Sequence, residues 1–168
     1  MNETQEILSK ALDELTQVAR SAPKRGGPKG NERDKGKGKA PLERELLRRF
    51  LLALGELVSS DLEVDLGAEL TRARQIIEQL GERWGLALEA EMQLACGEHI
   101  QGVDPRYLGH PRYDFQYTLE ARQRLEQRFE ALAALEQPID PQLVARVADA
   151  DERLADELEK RSAGPGEG

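Results

Sequence analysis

Hydrophobic side chains recur at spacings of three and four along most of this chain, the period of an α-helix that buries one face. In residues 3–20 the stripe is Ile7, Leu8, Ala11, Leu12, Leu15, Val18 and Ala19, with Thr4 placed to cap it. A helix of this length is marginal alone, so it is expected to dock on the body of the protein or on a partner. The stripe serves both cases equally. A second helix opens near Pro41, a residue suited to a first turn, and runs to Val58. Its apolar face is Leu42, Leu46, Leu47, Phe50, Leu54, Leu57 and Val58, and Ser59-Ser60-Asp61 ends it. A third is expected over about 66–82, with Leu66, Leu70, Ala73, Ile76, Ile77 and Leu80 inward.

Glycine and proline then punctuate the pattern. Gly81 and Gly85 bracket Trp84, and a further helix is expected over 86–96 with Leu86, Leu88, Met92 and Leu94. Gly97, Gly102, Pro105, Gly109 and Pro111 make 97–113 read as a loop, long enough to be functional or disordered. Asp114 opens a long helix to about residue 136, with Tyr117, Leu119 or Ala121, Leu125, Phe129, Leu132 and Leu135 inward. Asp140 caps a last helix, 142–160, built on Leu143, Val144, Val147, Leu154 and Leu158. No strand pattern is present. The expected fold is all-α, an antiparallel bundle of four to five helices with a flexible N-terminal arm. The organisation is a helix at 1–21, a basic Gly/Pro/Lys linker at 22–40, a bundle at 41–160 containing the 97–113 loop, and a tail at 161–168 of disordered composition.

Composition alters this picture in two ways. Aromatic residues are 4 % of the 168, so the core is built from Leu, Ala, Val and Ile. The net charge is −8, which argues against uniform nucleic-acid binding. The charge is uneven, however. Lys24, Arg25, Lys29, Arg33, Lys35, Lys37 and Lys39 face only Glu32 and Asp34 across 23–39, so that stretch carries +5 and the remainder −13. This electrostatic arm suits weak polyanion contact, or serves as a spacer held open by self-repulsion; it has no aromatic residue for base stacking. One cysteine makes no internal disulfide, and Met1 is followed by polar, acidic residues rather than a secretory signal. The longest apolar run, Phe50–Leu54, is far too short to cross a membrane. These features lead to an expected cytoplasmic location without membrane insertion.

Candidate chemistry gathers in 96–117. The segment holds the only cysteine (Cys96), both histidines (His99, His110), all three tyrosines (Tyr107, Tyr113, Tyr117) and Phe115. Cys96, His99 and His110, with Asp104 or Asp114, are the outlying candidates for a metal site, although the paired motifs of structural zinc are incomplete. Cys96 with His99 also has the composition of a nucleophile–base pair, but nothing marks an orienting third group or an oxyanion hole. Pro-Arg-Tyr occurs twice, at 105–107 and 111–113. Arg106 and Arg112 can fork onto carboxylates, and Tyr107 and Tyr113 present flat amphipathic surfaces. With His110 these form the candidate partner-binding set. The bland alternative is that Tyr107, Tyr113, Phe115 and Tyr117 plug one end of an aromatic-poor bundle while the arginines pair with its abundant Glu.

Three segments in order resemble GrpE, the nucleotide-exchange partner of Hsp70 chaperones. Leu46–Leu57 is similar to the Leu-rich opening of that family's bundle helices. Gly67–Thr71 with Ile76, Ile77 and Leu80 is similar to its second bundle helix, and Trp84-Gly85-Leu86 to the turn that follows. Val103-Asp104-Pro105 with His110 resembles a family motif in which Asp-Pro precedes His. The resemblance covers about 42–114. It implies a protein that works by binding an Hsp70-type chaperone, with no catalytic residue and no cofactor. The chain departs from the family where a small β domain and a long dimeric N-terminal helix are expected. The sequence therefore leads to a non-enzymatic helical adaptor. The alternatives are an accessory protein of a nucleic-acid or filament system using the basic arm, and a small metal or thiol protein centred on Cys96, His99 and His110. A homodimer stays open, because apolar helix faces serve bundles and dimers alike.

Overall fold

The computed structural model describes residues 2–21, 41–60, 63–108, 110 and 112–163. These form seven helices and, among the described residues, no strand. They are α1 (Glu3–Arg20), α2 (Arg44–Ser59), α3 (Gly67–Leu80), α4 (Glu82–Gly102), α5 (Pro105–Leu108), α6 (Phe115–Ala134) and α7 (Pro141–Ala163). The basic arm and the end of the tail lie outside the described residues.

α2 is the central element, because its apolar face is wide and only a narrow side, with Arg44, Glu45, Arg48 and Glu56, is left to solvent. Leu46, Leu47, Phe50, Leu51, Ala53, Leu54, Gly55 and Leu57 are all buried. It packs against α1, α4 and above all α6. At its closest approach to α6, Gly55 lies directly on the backbone of Gln127, where no Cβ has room. α1 buries Leu8, Ala11, Leu12 and Leu15 into the same core and lies against α2 and α3. The N-terminal helix thus shares one core with the rest. Its cap is Asn2 rather than Thr4: Asn2 Oδ1 accepts from Gln5 N, and Gln5 Oε1 accepts from Asn2 N, a complete capping box. Ile7, expected inward, lies at the stripe's edge and is exposed. Pro41 precedes α2 by three residues instead of opening it.

The larger correction concerns 82–113. The helix does not end at Gly85, and the connection expected from Gly97 starts only at Val103. α4 runs unbroken through both glycines, and α5 adds a further turn inside the expected loop. Glycine in a helix interior costs only about 1 kcal/mol. The flanking turns offset this by burying Trp84, Ala87, Cys96 and His99. Gly81 is the glycine that separates α3 from α4, at φ 55°, a backbone conformation that residues other than glycine rarely adopt. The facing of five further residues also differs from expectation. The buried stripe of α6 is Thr118, Ala121, Leu125, Arg128, Ala131 and Leu132, which rotates Tyr117 outward. On α7 it is Leu143, Val147, Ala150 and Leu154, which leaves Val144 and Leu158 exposed. The last two are Leu86 and Leu94, which face outward on α4. Asp140 caps α7 as expected, with Oδ1 accepting from Gln142 N, and the helix extends into the expected tail as far as Ala163.

Candidate interaction surface

The C-terminal end of α4 delivers the chain to a corner at 103–114. Val103 is fully buried and packs with Ala150 and Leu154 of α7, which anchors the corner to the body. Asp104 then organises the turn. Its Oδ1 accepts from Arg106 N at 2.9 Å, and its carboxylate takes both Nε and NH2 of the Arg106 guanidinium at 3.2 and 3.0 Å. Side-chain and backbone hydrogen bonds from Arg106 hold the Asp104 carboxyl below its usual value. Tyr113 closes the corner from the other side. Its hydroxyl donates to the Gly102 carbonyl at 3.0 Å and makes a short hydrogen bond with Thr118 Oγ1 on α6. The Tyr107 and Tyr113 rings stand 6.0 Å apart, and the Arg106 guanidinium lies 6.0 Å from the Tyr107 ring centre.

Of the five expected partner-binding residues, Arg106, Tyr107, His110 and Arg112 are exposed, whereas Tyr113 is half-buried and serves as the bolt. His110 Nδ1 accepts from Arg112 N at 3.1 Å. The arrangement presents the Arg112 guanidinium, an imidazole and a phenol, together with an exposed Arg106 guanidinium already paired with Asp104, on a backbone tied at both ends. That chemistry suits carboxylates and aromatic or apolar side chains of another protein. Tyr117, one turn into α6, is also exposed, with Arg124 near its ring.

Cys96, His99 and His110 are not brought together. Cys96 and His99 have no solvent exposure, whereas His110 stands on the surface. Among the described residues no group of three or more His, Cys, Asp or Glu is arranged to hold a metal ion. Burial raises the Cys96 thiol above its usual pKa, with Arg128, Arg146 and Arg122 offsetting this only in part, so the thiolate needed of a nucleophile is disfavoured.

His99 instead belongs to a charge cluster that the sequence pattern conceals. Its Nε2 lies 2.7 Å from Asp151 Oδ1 on α7, and the same carboxylate takes Nε and NH2 of Arg122 on α6 at 2.7 and 3.1 Å. Burial lowers the His99 pKa and outweighs the opposing effect of Asp151. The ring is therefore neutral, donating from Nε2, while Nδ1 is buried with no hydrogen-bond partner among the described residues. Protonating Nδ1 would create an unsatisfied buried N–H, which acts in the same direction. Burial pushes Asp151 up, but the hydrogen bonds from Arg122 and His99 outweigh it and leave this carboxyl below its usual value. A second buried pair lies two turns earlier on α4. Glu91 Oε2 accepts from Arg128 Nε on α6 at 3.0 Å, and Oε1 accepts from Arg44 at the start of α2 at 3.3 Å. The two clusters tie α4 to every helix it packs on except α3 and α5. Only their positions could have disclosed them: Arg128 falls in register with Leu125 and Leu132, and Glu91 with Ala87 and Ala95, where apolar residues are expected.

Two clefts lie elsewhere on the described residues. One of about 290 Å³ lies between α1 and α3 and is lined by Leu8, Leu12, Leu66 and Arg72, among others. The other, about 300 Å³, lies between α4 and the α6–α7 connection, against Trp84, Leu88, Met92, Leu132, Ile139 and Leu143. Trp84 is pinned there, its Nε1 donating to Gln137 Oε1 at 3.0 Å and its ring edge-on to Phe50. No helix is long and apolar enough to cross a membrane among the described residues. Compared with protein-family models, curated proteins and solved structures, the chain matches none.

Proposed function

We propose that this chain is a non-enzymatic helical interaction protein whose recognition surface is the 104–117 corner. One observation carries the reading: Arg106, Tyr107, His110 and Arg112 are exposed together on a segment that Asp104 and Tyr113 fix in place. Binding groups on a connection held by a rigid scaffold lose little conformational freedom on association. Arg and Tyr are also the residue types that dominate binding energy at interfaces. The burial of Cys96 and His99 supports a binding rather than a thiol-chemistry role. The same reading takes the long helices as an antiparallel bundle of four to five members, in the cytoplasm, on the support of short α3–α4 and α6–α7 connections and a single buried cysteine.

The partner this surface fits is a protein presenting carboxylates beside apolar side chains. In its most specific form the partner is an Hsp70-type chaperone, on the support of the GrpE-like segments over 42–114. The test is capture from nuclease-treated host lysate by the full chain and by Arg106→Ala/Arg112→Ala. A defined protein retained by the first and lost by the second is the expected result. Capture unchanged by the double substitution would sink the reading. Stimulated nucleotide release from a purified Hsp70 separates the chaperone form from the general one.

A further inference from the structure

α4 exposes a strip unlike the outward faces of the other long helices. At about 3.6 residues per turn, Leu86, Ala90, Gln93, Leu94, Gly97 and Gln101 fall on one side of it. Leu86 and Leu94 are 61 % and 44 % exposed, and a Cβ built on Gly97 would meet nothing within 4 Å. No charged side chain lies within the strip, although a third of the chain's residues are charged. Glu89 and Glu98 fall to either side, and Arg83, at the N-terminal edge, turns away onto the Val18 and Ala19 carbonyls.

We propose that this strip is the contact face of a homodimer in which two α4 helices pack antiparallel about a two-fold axis between Gln93 and Leu94. Charge selects the occupant. A second copy carries the same −8, so two copies approach closely only where neither presents charge. Segment 22–40 has no large apolar side chain, and its excess of cations finds no carboxylate within the strip. The pattern is also self-complementary, as a two-fold contact requires. Antiparallel pairing about that axis sets Ala90 opposite Gly97 of the second copy, small against small, so the helix axes approach. It sets Leu86 opposite Gln101 and brings the two Gln93 amides near the axis, where each can donate and accept. The contact is roughly 24 Å long, at the small end for a stable interface, so monomer and dimer are expected to exchange with concentration. The inference stands apart from the reading of the 104–117 corner. It places two such corners at opposite ends of the contact, available together to a bivalent partner.

The test uses the full chain. Light scattering coupled to size exclusion, from low to high micromolar loading, is expected to show a rise from monomer to dimer mass. Leu86→Glu/Leu94→Glu is expected to stay monomeric, weakening association at least about tenfold, with unchanged helical circular dichroism because both side chains are exposed. Independently, Gln93→Cys is expected to form an oxidative cross-link between copies, and Glu152→Cys on α7 is not. A monomer at every concentration overturns the proposal. So does a dimer that survives the double substitution or cross-links through position 152. A monomer whose strip becomes protected only when a different protein binds also overturns it.

Discussion

Glu91 on α4 and Arg128 on α6 form an ion pair sealed from solvent, with 1 % and 8 % of their side chains exposed. Removing one member leaves a buried charge without its partner, which typically costs 3–5 kcal/mol, about the stability of a marginal domain. Arg44, which is half-exposed, also touches Glu91 and recovers part of that loss. Arg128→Met is therefore expected to destabilise by about 3 kcal/mol in urea titrations. Glu91→Met/Arg128→Met, which removes both charges, is expected to lie within about 1 kcal/mol of the parent or above it. Additive losses from the two single substitutions would contradict this.

Two glycines on neighbouring helices should respond oppositely to alanine. A Cβ on Gly55 would lie 2.8 Å from Gln127 Cα and closer still to its carbonyl, so α2 and α6 have to separate. Gly55→Ala is expected to destabilise by about 3 kcal/mol or more. A Cβ on Gly85 meets nothing within 4 Å. Gly85→Ala is expected to raise stability by about 0.5–1 kcal/mol, through helix propensity and a less flexible unfolded chain. Thermal melts of both variants check the pair.

The His99 cluster makes stability depend on pH in a defined direction. The folded pKa of His99 lies below its ordinary 6.5, so the unfolded chain binds the proton first as pH falls. Unfolding free energy is expected to be level above that value and to decline as pH drops below it. The Asp151 carboxyl, lowered from 3.8, adds stability that is present above that value and is lost as pH falls through its folded pKa. Urea midpoints from about pH 8 to pH 5 isolate the histidine part. In His99→Gln that first decline is expected to disappear.

Tyr113→Phe removes the hydroxyl that joins Gly102 and Thr118 across the corner. The expected loss of global stability is about 1 kcal/mol. Amide hydrogen exchange is expected to accelerate in α5 and hardly at all in α2. Partner capture should weaken less than in Arg106→Ala/Arg112→Ala, because the contact groups stay in place.

The sequence pattern disclosed the helices wherever a stripe was apolar and uninterrupted. Leu8, Ala11, Leu12 and Leu15 of α1 and the Leu-rich face of α2 are buried as their spacing requires. It misled where glycine stood within a helix. Gly85 and Gly97 have the same side chain as Gly81, and only packing determines which of them ends a helix. Residues on the margins of a stripe, such as Ile7, Tyr117, Val144 and Leu158, read as inward from spacing alone, yet a few tens of degrees of rotation leave them exposed. In the candidate surface, the exposed Arg and His residues were legible from type and setting. The two buried charge clusters were not, since each joins residues 29 to 52 positions apart; the turn of α5 and the Tyr113 bolt are local, but they rest on polar contacts that a hydrophobic pattern does not encode.

The pinning of Trp84 has a spectroscopic consequence. The chain has a single tryptophan, and its indole joins α4 to Gln137 in the α6–α7 connection while its ring touches Phe50 of α2. Its emission therefore reads one seam of the core, whereas far-ultraviolet circular dichroism reads every helix at once. Coincident transitions by the two signals are expected if the core opens as a unit. An earlier fluorescence change would identify the α6–α7 connection as the first part of the core to come away.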